Sequence, residues 1–236
     1  MKTQTIDRKT LYENIKNKGL EYLQSLDNIY KNDKELAIFT ASLYKGSLKY
    51  FSDNLKDDFD VVHSFTSFDP LSLYEASERL RSDENLNLLA LNYNNLMLDG
   101  ATNAIINNKN VVIKSIKKVP WTLQFASDEI KNDYDIVLQA ISLDGSTLEY
   151  ASELLKDNYS LVELAIKNNS LALKYASFRL QNDKKLLEIY IKNTSEIYQN
   201  KPLYLESINK LNMIHEQEWL DKNIPSNQHT AKPRKF

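Results

Sequence analysis

Leucines recur along this chain at a fixed interval of 25 residues: Leu23, Leu48, Leu73, Leu98, Leu123, Leu148 and Leu173. Taking each as position 1 of a repeat brings other columns into register. Position 4 is alanine in Ala76, Ala101, Ala126, Ala151 and Ala176, and position 5 is a hydroxyl in Ser52, Ser77, Thr102, Ser127, Ser152 and Ser177. Position 8 is aliphatic from Leu55 through Leu180. Positions 1, 4, 5 and 8 fall on one face of an α-helix, so the spacing predicts a first helix of about ten residues, roughly 15 Å long. Ser47, Ser72, Thr122 and Thr147 at position 25 are residue types that cap a helix start.

Position 11 is Asp33, Asp58, Asp83, Asn108, Asp133, Asn158 and Asp183. Asp and Asn are strong N-caps, which predicts a second helix from that point. Its apolar positions are 14, 15, 18 and 19, as in Ile136, Val137, Ala140 and Ile141. Position 16 adds Ile38, Leu88, Ile113 and Leu138, which predicts a helix enclosed on most of its circumference. Helices this short are marginal alone, and stacking against the next repeat supplies the missing burial. Self-similarity at this period is the signature of a solenoid. The expected fold class is all-α: an αα-solenoid of seven 25-residue helix-pair repeats with helical caps.

The ends fit the scheme. Leu11, Tyr12 and Ile15 predict an N-terminal capping helix over 7–18, repeats occupy 23–197, and Pro202 suits the first turn of a C-terminal capping helix over 202–220. Leu205, Ile208, Leu211 and Ile214 mark that helix's apolar stripe. Together these make one domain over 1–222. Residues 223–236, with Lys232, Arg234 and Lys235, read as a disordered, polar and basic tail.

The string LEYASELLKDNYSLVELAI from Leu148 resembles the family known as domain of unknown function 4116, tandem helical units in bacteria, protists and large viruses. The resemblance covers about residues 20–197. It implies a helical-repeat scaffold and brings no activity, cofactor or catalytic residue with it. The repeat from Leu98 departs from the pattern, with Gly100 at position 3 and Ile106 at position 9. Position 21 there is Lys118, and Pro120–Trp121 stiffens the exit. That repeat is expected to be a soft point, or to hold a notch left by the missing ring.

Composition narrows the function classes. There are 30 Lys+Arg against 32 Asp+Glu, a net charge of -2, which argues against a dedicated nucleic-acid binder. The chain has no cysteine, hence no disulfide or thiolate chemistry, and its 4 glycines leave little material for a phosphate loop. No apolar run approaches the ~18 residues of a membrane helix, and the polar N-terminus is unlike a secretory signal. A cytoplasmic location is expected, with non-classical secretion as an effector the alternative. Rich Lys, Asn, Ile and Tyr usage suggests an AT-rich genome.

Candidate chemistry is sparse. His215 opens HEQEW, but the second histidine of a zinc-binding helix is Trp219 here; no metal site and no cofactor is expected. The position-5 hydroxyls have no histidine at a matching offset, so they read as packing hydroxyls bonded one turn back. Acids at position 6 (Asp53, Glu78, Asp128, Glu153) precede bases at position 9 (Lys56, Arg81, Lys131, Lys156) by three residues, a favourable surface pairing. Aromatics are the candidate partner-binding residues, because such side chains anchor interfaces: Tyr50, Tyr150 and Tyr175 at position 3, Phe59, Tyr134 and Tyr159 at position 12 near the inter-helix turn, and Trp121. The competing reading is stacking between repeats. The expected function is a non-catalytic scaffold that binds a protein partner on an extended face. The alternatives are a nucleic-acid-binding or enzymatic helical-repeat protein, and an effector acting on host proteins. No catalytic residue, membrane insertion or oligomeric state is assigned.

Overall fold

A computed structural model describes residues 6–195, 198–199 and 201–223. Those residues are helical, with no strand among them. The chain divides into two compact bodies, Met1–Ser127 and Asp128–Phe236. No helix among the described residues is long and apolar enough to cross a membrane.

The second predicted helix is the constant element. It spans ten residues in Phe59–Phe68, Glu84–Tyr93, Lys109–Lys118, Tyr134–Leu143, Tyr159–Asn168 and Lys184–Asn193. All seven position-11 residues cap it as expected, each side chain accepting the backbone N–H three residues on at 3.0–3.2 Å. Such a cap satisfies an N–H that the helix itself leaves without a partner. Positions 14, 15, 18 and 19 form the core; Ile136, Val137, Ala140 and Ile141 are all buried. Position 16 differs from expectation. Ile38 is exposed, and Leu88, Ile113 and Leu138 are half-buried, so the helix keeps one open side.

The first predicted helix does not exist as one piece. A 3-10 turn ends at position 3, as in Gly145–Tyr150, and a four-residue α-helix occupies positions 6–9, as in Glu153–Lys156. Between them Ala151 and Ser152 are extended, with ψ of 158° and 155°. The cause is the position-5 hydroxyl. Ser52, Ser77, Ser152 and Ser177 accept the N–H of position 8 at 3.2–3.4 Å. An N-cap residue takes extended dihedrals, so the same side chain that starts the short helix stops the turn before it. The position-1 leucines are still buried in every repeat, because the break folds both pieces onto the long helix.

Position 25 is not a cap either. Ser47, Thr122 and Thr147 are buried and donate to the carbonyl three residues back at 2.7 Å. The turn is capped from position 22, where Asp69, Asn94, Asp144 and Asn169 accept the N–H two residues on.

At the N-terminus Asp7 caps a helix from Arg8, and Gly19, at φ 72°, breaks it one residue after the predicted end. Leu11 and Ile15 are buried and Tyr12 stacks on Phe39 at 4.0 Å. The C-terminal helix runs Pro202–Asn223, three residues beyond expectation. Leu205, assigned to its buried stripe, is exposed, while Ile208, Leu211 and Ile214 are half-buried. The predicted tail beyond Asn223, with Lys232, Arg234 and Lys235, lies outside the described residues.

Candidate interaction surface

Three sets of polar rungs tie successive repeats together and decide which side chains remain free to bind. The first runs from position 5. Backbone N–H groups of Ser52, Ser77, Ser127, Ser152 and Ser177 donate at 2.9–3.0 Å to the position-9 carbonyl of the preceding repeat. Their hydroxyls donate to the position-10 side chain there: Ser52 to Asn32 at 2.6 Å, Ser127 to Asn107 at 2.7 Å, Ser152 to Asn132 at 2.6 Å, and Ser77 and Ser177 to Asp57 and Asp157. The last two aspartates also accept from Arg79 and Arg179. The Ser77 hydroxyl, then Arg79, holds the Asp57 carboxyl below its ordinary value; Ser177 and Arg179 do the same for Asp157. The serine column is therefore a joint between repeats, where a bond one turn back was expected.

The second set runs from position 12, which is the first residue of the long helix rather than part of the inter-helix turn. Lys34 reaches Asp60 at 2.7 Å and Asp58 at 2.9 Å, and its pKa is raised by both. Glu84 accepts from Asn108 at 3.0 Å and from Asn110 at 3.1 Å. Lys184 reaches Glu218 at 2.5 Å. The aromatics of this column occupy the same rung. Phe59 and Tyr134 are each 41% exposed, whereas Tyr159 is half-buried, its hydroxyl pKa pushed up by burial and then by Asp183. The Phe59 ring lies 5.9 Å from that of His63, one turn along.

The third set joins long-helix C-termini. Lys118 donates to the Leu91 carbonyl at 2.5 Å, and Asn168 donates to the Ser142 carbonyl at 3.1 Å. A cation is favoured at a helix C-terminus, where carbonyls lack partners. Lys118 thus replaces the apolar residue of other repeats with a bond across the junction.

Position 3 is less open than expected for a partner site. Tyr50, Phe125, Tyr150 and Tyr175 are all half-buried. Lys49 sits over the Tyr50 ring at 5.1 Å and Lys174 over the Tyr175 ring at 4.4 Å. Burial raises the Tyr150 hydroxyl pKa, with Glu149 and Tyr175 adding to it. At Gly100 Tyr74 of the preceding repeat stands 3.7 Å from where a Cβ would sit and donates to the Asp99 carbonyl at 2.5 Å, while Gly100 itself stays exposed and lines a cleft with Ala101 and Thr102. Gly100 adopts φ +77°, a left-handed conformation that side chains disfavour.

What the periodicity reading passed over is an exposed apolar row at positions 21 and 24. Leu43, Phe68, Leu71, Tyr93, Leu96 and Trp121 all belong to the N-terminal body and all are exposed, Phe68 to 54% and Tyr93 to 64%. The signal was present as a 25-residue column, Leu43, Phe68, Tyr93 and Leu143, all of them exposed, but such a column does not reveal which way it faces. Of the residues expected to bind a partner, Trp121 alone joins this row; its ring lies 6.0 Å from Phe125.

Elsewhere the chemistry is spare. Of the position 6 to 9 pairs, Lys56–Asp53 closes at 3.5 Å and Lys156–Glu153 at 2.9 Å. His215 lies 3.9 Å from Glu188. A cleft of about 350 Å³ is lined by Glu78, Arg81, Ser82, Thr102 and Asn103, beside Gly100.

Residues 108–156 and 158–205 each match the model of the family described as Domain of unknown function (DUF4116), two matches in tandem. Both matches start at a position-11 asparagine, the cap of a long helix, and each spans about two 25-residue repeats. No curated protein and no solved structure matches the chain.

Proposed function

We propose that this chain is a non-catalytic helical-repeat scaffold, a solenoid of seven 25-residue repeats, that binds a protein partner through exposed apolar side chains. The observation that carries the reading is the row Leu43, Phe68, Leu71, Tyr93, Leu96 and Trp121. Contiguous exposed apolar patches rimmed by polar residues often mark association surfaces. Recurrence at one register across successive repeats makes the row extended, which suits a long partner segment. The polar groups nearest to catalytic candidates are occupied as joints: the position-5 serines, the position-12 charges and the position-11 caps all bond within the fold.

The experiment is affinity capture from cells that produce the protein, with the wild-type chain beside a variant carrying Phe68→Ser, Leu71→Ser, Tyr93→Ser and Leu96→Ser. All four side chains are exposed, so the variant is expected to keep the helical circular dichroism of the wild type. A protein retained by the wild type and lost from the folded variant supports the reading. Equal capture by both would move the binding face elsewhere. The position-12 aromatics give the matching control: Phe59→Ala with Tyr134→Ala should leave capture intact.

A further inference from the structure

We propose that the Asp99–Gly100 peptide bond isomerises on its own, converting in the folded chain to an isoaspartyl link. The proposal stands apart from the docking reading above and does not depend on it. Asp–Gly pairs occur at Asp99–Gly100 and at Asp144–Gly145. In such a pair the glycine nitrogen can reach the preceding side chain, because no Cβ blocks its approach. The fold treats the two pairs in opposite ways. Gly145 is buried, and its N–H donates to Asn168 Oδ1 at 2.9 Å. A Cβ there would collide with the Ala165 carbonyl, so the backbone has no space to rearrange. Asp144 Oδ1 accepts from the Ser146 N–H at 2.9 Å and from the Ser146 hydroxyl at 2.7 Å. Asp99 and Gly100 lie instead exposed in a run of turns. Among the described residues neither the Gly100 N–H nor the Asp99 carboxylate has a hydrogen-bond or ion-pair partner.

Tyr74 assists the step. Its hydroxyl donates to the Asp99 carbonyl oxygen at 2.5 Å. That oxygen and the Gly100 nitrogen belong to one amide, so charge that develops on the nitrogen is shared with the oxygen. A donor already aimed at a developing oxyanion stabilises it. Burial, and then Asp99, raises the Tyr74 hydroxyl pKa, so the hydroxyl keeps its proton at neutral pH. The chemistry balances with water alone. The Gly100 nitrogen bonds to Cγ of the protonated Asp99 carboxyl, whose hydroxyl leaves with the amide proton as water. The product is a succinimide ring, which water then opens at either carbonyl. Opening at Cγ restores aspartate. Opening at the main-chain carbon breaks its bond to the Gly100 nitrogen and leaves the isoaspartyl link. The main chain then runs through Cβ and Cγ, one methylene longer, with a carboxylate on the branch. That change removes the carbonyl Tyr74 bonds, so isomerisation opens this joint between the repeats from Leu73 and Leu98.

The test incubates the full chain at neutral pH and physiological temperature, folded and, in parallel, in urea. Isoaspartate is counted by methyl transfer from radiolabelled S-adenosylmethionine with a protein isoaspartate methyltransferase, then located by tryptic mapping. Cleavage after Arg81, Lys109, Lys131 and Lys156 puts the two Asp–Gly pairs in separate peptides, 82–109 and 132–156. In the folded chain label is expected at 82–109 and at least about tenfold less at 132–156, where conversion must wait for local opening. In urea both peptides should label alike. Asp99→Glu, whose longer side chain must close a larger ring, should lose the label at 82–109 and keep the wild-type circular dichroism. Tyr74→Phe should slow conversion about tenfold, the effect of losing one hydrogen bond to a developing charge. Equal label in the two peptides of the folded chain overturns the site. So does label at 82–109 that persists in Asp99→Glu, or its absence from the folded chain once the urea sample has converted. Conversion as fast in Tyr74→Phe as in the wild type overturns the assisting role of Tyr74.

Discussion

The repeats that begin at Leu98 and Leu148 occupy the same register and close it differently. From Leu148 the repeat is regular: a 3-10 turn over Gly145–Tyr150, a Ser152 cap to Leu155 at 3.2 Å, and a joint from Ser152 to Asn132 at 2.6 Å. Around Leu98 the corresponding segment is a run of turns ending at Gly100, and Thr102 makes no capping bond. Its hydroxyl pairs instead with Ser82 at 2.9 Å. In the preceding repeat Asn87, buried where other repeats place Ala, Val or Leu, donates to the Arg81 and Asp83 carbonyls at 2.9 and 2.8 Å. Tyr74 bonds the Asp99 carbonyl beside Gly100, and Lys118 crosses to Leu91. The Leu98 repeat keeps the Asn94 cap ahead of its turn but lacks the position-5 cap, and Tyr74 and Lys118 tie it to its neighbour. In a repeat protein that exchange is available because intrinsic and interface terms add.

Truncating the two leucines probes this first. Leu148→Ala should cost about 3–5 kcal/mol and Leu98→Ala about 2–3 kcal/mol, since cavity cost depends on how far a site can collapse. Both side chains are buried, so urea denaturation followed by circular dichroism compares like with like. A larger loss at Leu98 would reverse the ranking of the two repeats.

Glycine substitutions sharpen the contrast by mechanism. A Cβ on Gly145 would collide with the Ala165 backbone carbonyl, so Gly145→Ala should destabilise by about 1–3 kcal/mol through overpacking. Gly100 has room beside Tyr74, and Gly100→Ala meets only the left-handed backbone, at about 1 kcal/mol. For the same reason Gly100→Tyr, a replacement the repeat pattern invites, should not stabilise the fold. A melting temperature raised by Gly100→Tyr would contradict the backbone assignment.

The hydroxyls give a smaller difference. Ser152→Ala removes a cap and a joint together and should cost about 1–2 kcal/mol, against about 0.5 kcal/mol for Thr102→Ala. Equal losses in chemical denaturation would mean that the cap geometry at Ser152 contributes nothing.

Acid separates the joints last. After the Leu148 repeat the joint is Asp157 with Ser177 and Arg179, and before the Leu98 repeat it is the hydroxyl pair Ser82–Thr102. The folded pKa of Asp157 lies below its ordinary 3.8, owing first to Ser177 and then to Arg179. A carboxyl depressed on folding contributes stability above its unfolded value, and that contribution is lost as pH falls through the folded one. Asp157→Asn should therefore flatten the fall in stability below about pH 4, while Ser82→Ala leaves the slope unchanged. Denaturant midpoints across that range measure both; an unaltered slope in Asp157→Asn would remove Asp157 from the acid response.

Where the reading of the chain succeeded, a residue's role followed from its own chemistry. Aspartate or asparagine ahead of an amphipathic ten-residue stretch caps a helix wherever it sits, and all seven do so. Leucine at period 25 is buried in every repeat, because its apolar side chain gains by leaving water wherever the stack repeats. The reading failed where one residue serves two segments. Ser152 looked like the middle of a helical face and is instead the stop of one piece and the start of the next. The candidate site divided in the same way: Trp121 proved exposed in a row, while Tyr150 and Tyr175 were drawn into the turns.

The sequence by itself determined the period, the helical class, the caps and the buried column, because these depend on side chains acting within one helical turn or on burial summed over many repeats. Tertiary structure alone decided three things: that positions 4 and 5 are extended, that Tyr74 packs beside Gly100, and that positions 21 and 24 face outward in the N-terminal body. Each depends on what the neighbouring repeat places opposite, about 20–25 residues away along the chain. An apolar column reads the same whether it meets the next repeat or open solvent, so only the packed fold separates a core position from a binding surface.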